Sequence, residues 1–301
     1  MVSAEAKPAE KSESGVKTIH VFSTGSAAQH KEHRYGSKLP RIWWVLTSRS
    51  WVDLPINVFL IEHEDGLVLF DTGLDPALKI DPNYISQAIG RFLVDRIFRF
   101  EISSDDKLGK QLERIGVSPG AVTKAIISHL HFDHIGGIAD IPQAELLVTE
   151  REWAQLSDPH PEHEWILREH IEIPGAKWRP IKFQSLDDPL VAPFGGGYDV
   201  MGDGSMVLLP TPGHTPGSMS MLLRSAGMPP ILLIGDLAYE EKSIMEDRAP
   251  GTGDAETLRE SYAKVRRLKE ILPDLVIVPS HDEKAARALQ SIMQNKNVAA
   301  A

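Results

Sequence analysis

The most informative segment of the sequence is Ser128-His129-Leu130-His131-Phe132-Asp133-His134-Ile135-Gly136-Gly137. It places three imidazoles and one carboxylate within six residues, directly after the apolar run AIIS at 125–128, which is typical of a short buried strand. An extended backbone sends alternate side chains to one side, so residues 129, 131 and 133 are expected to face one cavity, with His134 turning inward before the glycines. Imidazole and carboxylate ligands suit zinc, manganese and iron. Because four such groups exceed the needs of one tetrahedral ion with room for substrate, the stretch predicts two ions.

Three further ligand-type side chains stand at or just after the end of a predicted strand: His214 after MVLLP at 206–210, Asp236 at the end of ILLIGD at 231–236, and His281 after LVIVP at 275–279. Strands are also predicted for ELLVT at 145–149 and SMSMLL at 218–223. Since the candidate ligands recur at strand ends in both halves of the chain, we expect the strands to deliver them to a common site.

Upstream of this region, the pattern NVFLIEHEDGLVLFDTG at 57–73 predicts two strands joined by a hairpin turn at residues 64–66. Asp71 would stand at the end of the second strand, where a simple turn residue is the alternative interpretation. The apolar segment 84–100 is compatible with either a helix or a pocket-lining insertion.

Two helices are predicted from apolar stripes with caps. Leu108, Leu112 and Ile115 fall on one face of the segment 105–115, and Asp254 caps a helix that carries Leu258, Tyr262, Val265 and Leu268. Strands and helices in both halves indicate an α/β fold in which a sandwich of sheets is covered by helices.

Composition limits the function classes. The chain has 301 residues and a formal net charge of -10, which argues against general nucleic-acid binding. It contains no cysteine, so disulfides, thiolate ligands and thiolate nucleophiles are excluded. No segment approaches the roughly 20 apolar residues of a membrane span, and the N-terminus lacks the apolar stretch of a signal peptide. We therefore expect a cytoplasmic protein with no membrane partner, consisting of a disordered tail at 1–16 and one domain at 17–301.

Taken in order, the motifs SHLHFDHIGG, TPGHTPGS, GDLAY and PSHD resemble the pattern of the metallo-β-lactamase superfamily. Within it they are most similar to the N-acyl homoserine lactonases, the quorum-quenching enzymes that hydrolyse bacterial quorum-sensing signals. The resemblance runs from about residue 57 to residue 282. It implies an αββα sandwich in which two similar halves each supply part of a dinuclear metal site.

The resemblance also implies a role for individual residues. One ion would be held by His129, His131 and His214, the other by Asp133, His134 and His281, with Asp236 bridging both. Asp71 would orient a ligand imidazole from behind, although it has the turn interpretation given above. Tyr239 would contact the substrate carbonyl, and Phe132 would line the region of the acyl chain. For both aromatic residues, ordinary core packing is the alternative.

The resulting hypothesis is a lactone (carboxylic ester) hydrolase in which a metal-bridging hydroxide attacks the ring carbonyl. Tyr239 would stabilise the developing negative charge, and Asp133 would pass a proton to the leaving ring oxygen. Zinc is the favoured metal, with iron, cobalt and manganese as alternatives. The alternative functions are a glyoxalase II-like thioesterase, a phosphotriesterase, a di-iron redox module and a metal-stabilised binding protein. Acyl-chain preference, physiological substrate and the choice between monomer and homodimer stay open.

Overall fold

Two β-sheets form the middle of the molecule in the computed structural model, which describes residues 15–299. The larger sheet has seven strands, in the spatial order β4 (Phe98–Glu101), β1 (Val16–His30), β2 (Trp51–His63), β3 (Gly66–Phe70), β5 (Val122–Ile126), β6 (Glu145–Thr149) and β7 (Lys177–Ile181). The smaller sheet has five, in the order β12 (Val276–Val278), β11 (Ile231–Leu233), β10 (Met219–Leu223), β9 (Met206–Pro210) and β8 (Tyr198–Asp199).

The α-helices are α1 (Lys31–Tyr35), α2 (Arg41–Thr47), α3 (Ala77–Ile80), α4 (Ala88–Ile97), α5 (Leu108–Arg114), α6 (Phe132–Ile135), α7 (Glu150–Trp153), α8 (Arg168–Ile171), α9 (Glu241–Met245), α10 (Ala255–Ile271) and α11 (Glu283–Ala299). None of the helices in the described range 15–299 combines the length and the hydrophobicity that crossing a bilayer requires.

Three apolar layers hold these elements together. Phe59 and Phe70 from the larger sheet meet Met221 and Leu233 from the smaller one in the central core. On the outer face of the larger sheet, Leu112 of α5 belongs to a second apolar cluster. The outer face of the smaller sheet is covered by the apolar stripe of α10: Leu258, Tyr262, Val265 and Leu268. Helix, sheet, sheet and helix therefore follow one another, and the expected αββα sandwich is confirmed.

The local predictions near these layers agree with the structure in their main features. β2 and β3 form the expected antiparallel pair, with Phe59 opposite Phe70, and Gly66 supplies the positive φ of 140° after the turn. Asp254 caps α10, because its Oδ1 accepts a hydrogen bond of 2.8 Å from the Thr257 amide. The stripe predicted for 105–115 forms a shorter α-helix, Leu108–Arg114, preceded by a 3-10 turn at Ser104–Asp106.

Segment 84–100 combines both structures that its sequence allowed. Its middle forms α4, and its end forms β4 at the edge of the larger sheet, which carries Phe98 and Phe100 into the cavity described below. Of the predicted tail at 1–16, residues 1–14 lie outside the described residues. Val16 is buried and is the first residue of β1, so the strand includes the last residue assigned to the tail.

Candidate metal centre

The segment that carries His131 follows β5 of the larger sheet and leads directly into the short helix α6. Extended alternation of residues 129, 131 and 133 was the wrong explanation, because His131 is the N-cap of α6 and Asp133 already lies in its first turn. The end of this helix packs tightly against the segment after β3: a Cβ atom on Gly136 would lie only 2.3 Å from the amide nitrogen of Asp75. Helical geometry therefore presents Asp133 and His134, and the close approach of the chain at Gly136 requires a residue without a side chain.

All seven predicted ligands meet at one place between the carboxyl ends of the strands. Their side chains form three overlapping groups in which the ligand atoms lie within 4.8 Å of one another: His129, His131 and His214; His129, His134 and Asp236; and Asp133, His134 and His281. Asp236 stands between the outer groups, with its carboxylate oxygens 3.4 Å from His134 Nε2, 3.2 Å from His281 Nε2 and 3.5 Å from His214 Nε2. The arrangement thus offers two adjacent sets of donors with one carboxylate between them.

Hydrogen bonds behind the imidazoles determine which ring nitrogen faces the centre. His281 Nδ1 donates to the Pro55 carbonyl at 2.8 Å, and His134 Nδ1 donates to Asp71 Oδ2 at 2.8 Å. His129 Nδ1 lies 3.0 Å from Ser128 Oγ, whose own proton goes to Asp71 Oδ2 at 2.9 Å. In their neutral state these three rings therefore carry the proton on Nδ1, so that Nε2 of each ring faces the centre.

The chemistry of the donor atoms fits divalent metal ions. His129 Nε2, His134 Nε2 and Asp236 Oδ1 are buried and make no hydrogen bond within residues 15–299. Buried polar atoms without a partner are costly and rare, so three of them at the convergence point of seven ligand-type side chains indicate a missing partner. Because nitrogen lone pairs and carboxylate oxygens converge there, that partner is a cation.

The charged groups at the centre also indicate that a cation binds there. Burial raises the pKa of Asp236, but the neighbouring His281 and His134 outweigh it and hold that pKa well below its usual value. Burial lowers the pKa of His134, yet the carboxylates of Asp71, Asp236 and Asp133 together raise it well above the ordinary value. The carboxylates therefore attract positive charge to this point, and a divalent cation would displace the proton from His134.

Asp71 lies behind the clustered imidazoles and accepts a hydrogen bond from one of them, His134. The same carboxylate also accepts a hydrogen bond of 2.7 Å from the Ser128 amide. One buried side chain, directly after β3, is therefore bonded to both ends of the segment 128–134. Its backbone lies in the left-handed region, at φ 59°, which short polar residues such as aspartate tolerate better than most. The left-handed turn and the hydrogen bond to the His134 imidazole therefore depend on the same residue.

Glu152 is a supporting residue that the sequence interpretation missed. It is fully buried at the end of α7, and burial raises the pKa of its carboxyl group. Its carboxylate accepts hydrogen bonds from the Leu130 amide at 3.0 Å, the Thr215 hydroxyl at 2.7 Å and the Gly217 amide at 3.0 Å. It thereby joins the loop that carries His131 to the loop that carries His214. No local pattern in the sequence marks a glutamate for this role.

Replacing Glu152 with alanine is expected to lower the free energy of unfolding by about 3 kcal/mol, because three buried donors lose their acceptor at once. Denaturant unfolding of the purified protein measures the loss. Glu150→Ala is the matched control, since Glu150 is exposed and makes only a surface ion pair with Lys182, and it should change stability by less than about 0.5 kcal/mol. Equal stabilities for the two variants would contradict the role assigned to Glu152.

A narrow cavity of about 20 Å³ opens onto the metal centre, and its wall is largely apolar. Five of its lining residues are predicted metal ligands: His131, Asp133, His214, Asp236 and His281. The apolar wall is made by Ala27, Leu54, Phe98, Phe100, Phe132 and Trp165. Phe132 makes edge-to-face contacts with Phe98 and Phe100, so it is at once a core residue and part of the cavity wall.

Tyr239 lies in the same cavity, next to the ligands. Its ring stacks on His281 at a centroid distance of 5.9 Å, and the side chain is almost fully buried. Burial, reinforced by the carboxylates of Asp236 and Asp133, raises the pKa of Tyr239 well above its usual value. The hydroxyl therefore keeps its proton and can donate a hydrogen bond into the cavity.

A second cavity, of about 400 Å³, reaches the centre from the side of His131 and His214. Trp165 borders both cavities. Its backbone lies in the left-handed region, at φ 64°. Among the described residues that line the two cavities, Arg151 is the one lysine or arginine. The described lining of the two cavities therefore provides little positive charge of its own.

Two cavity residues, Gln29 and His33, were not found from the sequence. The chain contains 12 histidines, and nothing in the local pattern around His33 distinguished it from the surface and core histidines. Gln29 stands in a strand whose pairing sets its direction, and that pairing is not visible in the sequence of β1 alone.

Comparison with known proteins gives one family and consistent relatives. Residues 51–281 match the family model described as the metallo-beta-lactamase superfamily. The chain is 30% identical over 242 residues to the N-acyl homoserine lactonase AttM of Rhizobium radiobacter, covering 77% of this chain and 84% of that protein. It is 30% identical over 229 residues to an N-acyl homoserine lactonase of a Bacillus species, covering 75% of this chain and 80% of the relative.

A solved structure shares the fold. It is an N-acyl homoserine lactone hydrolase with the product N-hexanoyl-L-homoserine bound at its catalytic metal center. The similarity has a TM-score of 0.73 at 22% sequence identity and covers 91% of this chain and 96% of the other.

Proposed function

This chain belongs to the metallo-beta-lactamase superfamily, and from that premise we propose that it is a metal-dependent lactonase that opens the ring of N-acyl homoserine lactones, and so acts in quorum quenching. The observation that carries the proposal is the convergence of seven ligand-type side chains on one end of a cavity that also holds Tyr239 and an apolar wall. A hydrolytic centre, a hydrogen-bond donor and an apolar surface are what an acylated lactone requires.

The ligand groups suggest how the cations would be shared. His129, His131 and His214 would hold one, Asp133, His134 and His281 the other, and Asp236 would contact both. We propose zinc as the metal, since imidazole and carboxylate are its usual ligands in the absence of cysteine. When bound, two such ions supply Lewis acidity, which lowers the pKa of a water molecule and polarises a carbonyl group.

Side chains of the protein would carry out the remaining roles in binding and proton transfer. Tyr239 lines the cavity, and its hydroxyl would donate to the carbonyl oxygen of the lactone as negative charge develops there. Asp133 lies in the cavity with its Oδ2 3.5 Å from His281 Nε2, and its side chain is 20% exposed, more open than those of the neighbouring ligands His134, Asp236 and His281. It is therefore the candidate to pass a proton to the ring oxygen that leaves. Phe132 and the neighbouring aromatic side chains would contact the acyl tail.

The scarcity of basic residues in the lining favours this substrate over an anionic thioester. A glyoxalase II-like thioesterase acting on an anionic thioester would gain from clustered lysines or arginines, whereas the described lining of the two cavities offers Arg151 alone. An acylated lactone carries no charge and an apolar tail, which matches the wall formed by Phe98, Phe100 and Phe132.

Tyr239→Phe is expected to lower kcat/KM for lactone opening by about 10²-fold, because one donor to the developing oxyanion is lost. The metal content should be unchanged, since the Tyr239 side chain is not among the clustered ligand atoms. Tyr262→Phe is the matched control: that hydroxyl is buried under α10, makes no hydrogen bond within residues 15–299, and lies outside the cavity. If the two variants retained equal activity, Tyr239 would have no part in the reaction.

The proposal is tested by substrate competition. The zinc-loaded protein is offered N-hexanoyl homoserine lactone, an anionic thioester and a neutral phosphotriester, and kcat/KM is measured for each. We expect the lactone to be preferred by at least about 10²-fold and the activity to disappear after chelation. Preference for the thioester or the phosphotriester would replace the lactonase assignment by that activity, and turnover of none of the three would contradict hydrolysis.

A further inference from the structure

A second set of ligand-type side chains lies outside the metal centre, in the segment His160-Pro161-Glu162-His163. One nitrogen of each imidazole and one carboxylate oxygen of Glu162 lie within 4.8 Å of one another. The group shares no residue with the three groups at the centre, and the cavity beside it shares no lining residue with the two cavities there. The proposed function gives these side chains no role.

The backbone places the two histidines on one face of a turn. Residues Pro161–Glu164 form a 3-10 helix with His160 as its N-cap, and the His163 amide donates to the His160 carbonyl at 3.1 Å. Because a 3-10 helix has three residues per turn, side chains three positions apart lie above one another. The two imidazole rings are accordingly stacked, with a centroid distance of 5.1 Å and an interplanar angle of 20°. The turn therefore brings a nitrogen of each ring within reach of one ion.

The spacing of the donor atoms suits a small cation. His160 Nδ1 lies 3.2 Å from Glu162 Oε1. Two ligand atoms that are each about 2.0–2.1 Å from a tetrahedral zinc ion lie roughly 3.3 Å apart, so this pair needs little movement to share an ion. The Glu162 carboxylate has little room to move, because its side chain is only 13% exposed. The third group, His163, distinguishes the cluster from an ordinary surface ion pair.

The surroundings attract a cation and leave space for its water ligands. A cavity of about 830 Å³ lies against the three side chains. Among the described residues that line it are three glutamates, Glu162, Glu169 and Glu172, but a single arginine, Arg168. This excess of carboxylates raises the local concentration of cations. Three protein ligands beside an open space match an ion that keeps water in its remaining coordination positions.

We propose that His160, Glu162 and His163 form a third metal site, separate from the centre described above, that binds one divalent transition-metal ion. Imidazole nitrogen and carboxylate oxygen suit zinc, nickel and copper, and copper(II) binds such ligands most tightly among the divalent first-row metals. Zinc should bind to these three ligands more weakly than to the seven side chains of the centre. Desalted protein should therefore keep zinc at the centre alone.

An ion at the third site would act on a residue next to the metal centre. The 3-10 helix that carries the ligands ends at Trp165, whose amide donates to the Glu162 carbonyl at 3.3 Å and whose backbone is left-handed. Bulky residues seldom adopt this conformation, so it depends on the turn before it. By joining the N-cap of that turn to its third residue, the ion would hold in place the turn on which Trp165, at the border of both central cavities, depends.

The test is a copper titration of protein that already holds two zinc ions per chain. We expect the parent to bind one Cu²⁺ per chain while its zinc content stays at two. The double variant His160→Gln, His163→Gln should bind copper at least about 10²-fold more weakly, because two of three ligands are lost. Both side chains are exposed, so the variant should melt at the same temperature as the parent. Unchanged copper affinity in the double variant would overturn the site.

His20→Gln is the matched control. His20 Nε2 lies 2.7 Å from Glu62 Oε1, so it forms the same imidazole–carboxylate pair, but no third ligand-type side chain is clustered with it within residues 15–299. The copper affinity of this variant should therefore equal that of the parent. An equal loss of affinity in His20→Gln and in the double variant would show that surface pairs in general bind the copper, and the assigned site would be wrong.

The spectrum of the bound copper tests the ligands without any variant and so does not depend on folding. Electron paramagnetic resonance of the parent should show one copper species coupled to two imidazoles, since the site has two histidines and one carboxylate. Copper that replaced zinc at His129, His131 and His214 would release zinc and couple to three. Absence of bound copper, or its binding with loss of zinc, would overturn the third site, and neither result depends on which substrate the centre hydrolyses.

Discussion

Asp236→Asn is expected to lower kcat/KM for lactone opening by at least about 10³-fold, the largest loss among the substitutions considered, because it removes the one carboxylate that stands between both ligand groups. The carboxylate oxygens lie within 3.5 Å of the Nε2 atoms of His134, His214 and His281. An amide of the same shape cannot neutralise two adjacent cations. We therefore expect the metal content, measured by elemental analysis, to fall below two per chain and to stay there when zinc is added in excess.

The matched control is Asp95→Asn, an exposed position where the carboxylate pairs with Arg91 one helical turn earlier in α4. Such surface pairs contribute little, so its activity and metal content should equal those of the parent. Full metal content together with full activity in Asp236→Asn would show that the centre does not use this carboxylate.

Asp71→Asn is expected to weaken metal binding about 10- to 100-fold without touching a ligand atom, and to lower kcat/KM at limiting zinc by a similar factor. The substitution keeps a residue that tolerates φ 59°, so the turn is preserved and only the acceptor changes. The carbonyl oxygen of the introduced asparagine would still accept from the Ser128 amide. Its amino group would face the N–H of His134 and the hydroxyl of Ser128. Because two N–H donors cannot pair, the His134 N–H would lose its acceptor.

Excess zinc distinguishes this effect from the loss of a ligand. Activity of Asp71→Asn should recover when zinc is raised about 100-fold, because all seven ligand side chains are still present, whereas Asp236→Asn should not recover. Asp75→Asn is the control, since the Asp75 side chain accepts a hydrogen bond of 2.8 Å from the Ala77 amide, and asparagine can do the same. Unchanged zinc affinity in Asp71→Asn would contradict the role of Asp71 in orienting His134.

The candidate ligands could be predicted from the sequence because they follow strands. Each of these strands appears in the sequence as a short apolar run. His129, His214, Asp236 and His281 each come at or just after such a run. The hairpin of β2 and β3 and the Asp254 cap were predictable for the same reason: turn and cap chemistry depend on a few neighbouring residues.

The residues that were missed depend on contacts between distant parts of the chain. Glu152 receives hydrogen bonds from residues 22, 63 and 65 positions away in sequence, and no local rule indicates such partners. His33 reaches the cavity because α1 follows the long strand β1 and packs beside Tyr239, about 200 residues later in the chain. The helical turn at Asp133 was missed for a related reason: Gly136, just after this turn, packs closely against Asp75, a distant contact that the local pattern does not show.

We propose that the seven converging side chains hold two divalent cations, which together supply the chemistry for opening a lactone. The most direct measurement strips the protein with a chelator, restores zinc in fractions of an equivalent, and follows the opening of N-hexanoyl homoserine lactone by proton release at each step. We predict that activity rises until two equivalents per chain are bound and then stays constant. Full activity at one equivalent, or activity that never depends on zinc or another divalent metal, would contradict the dinuclear account.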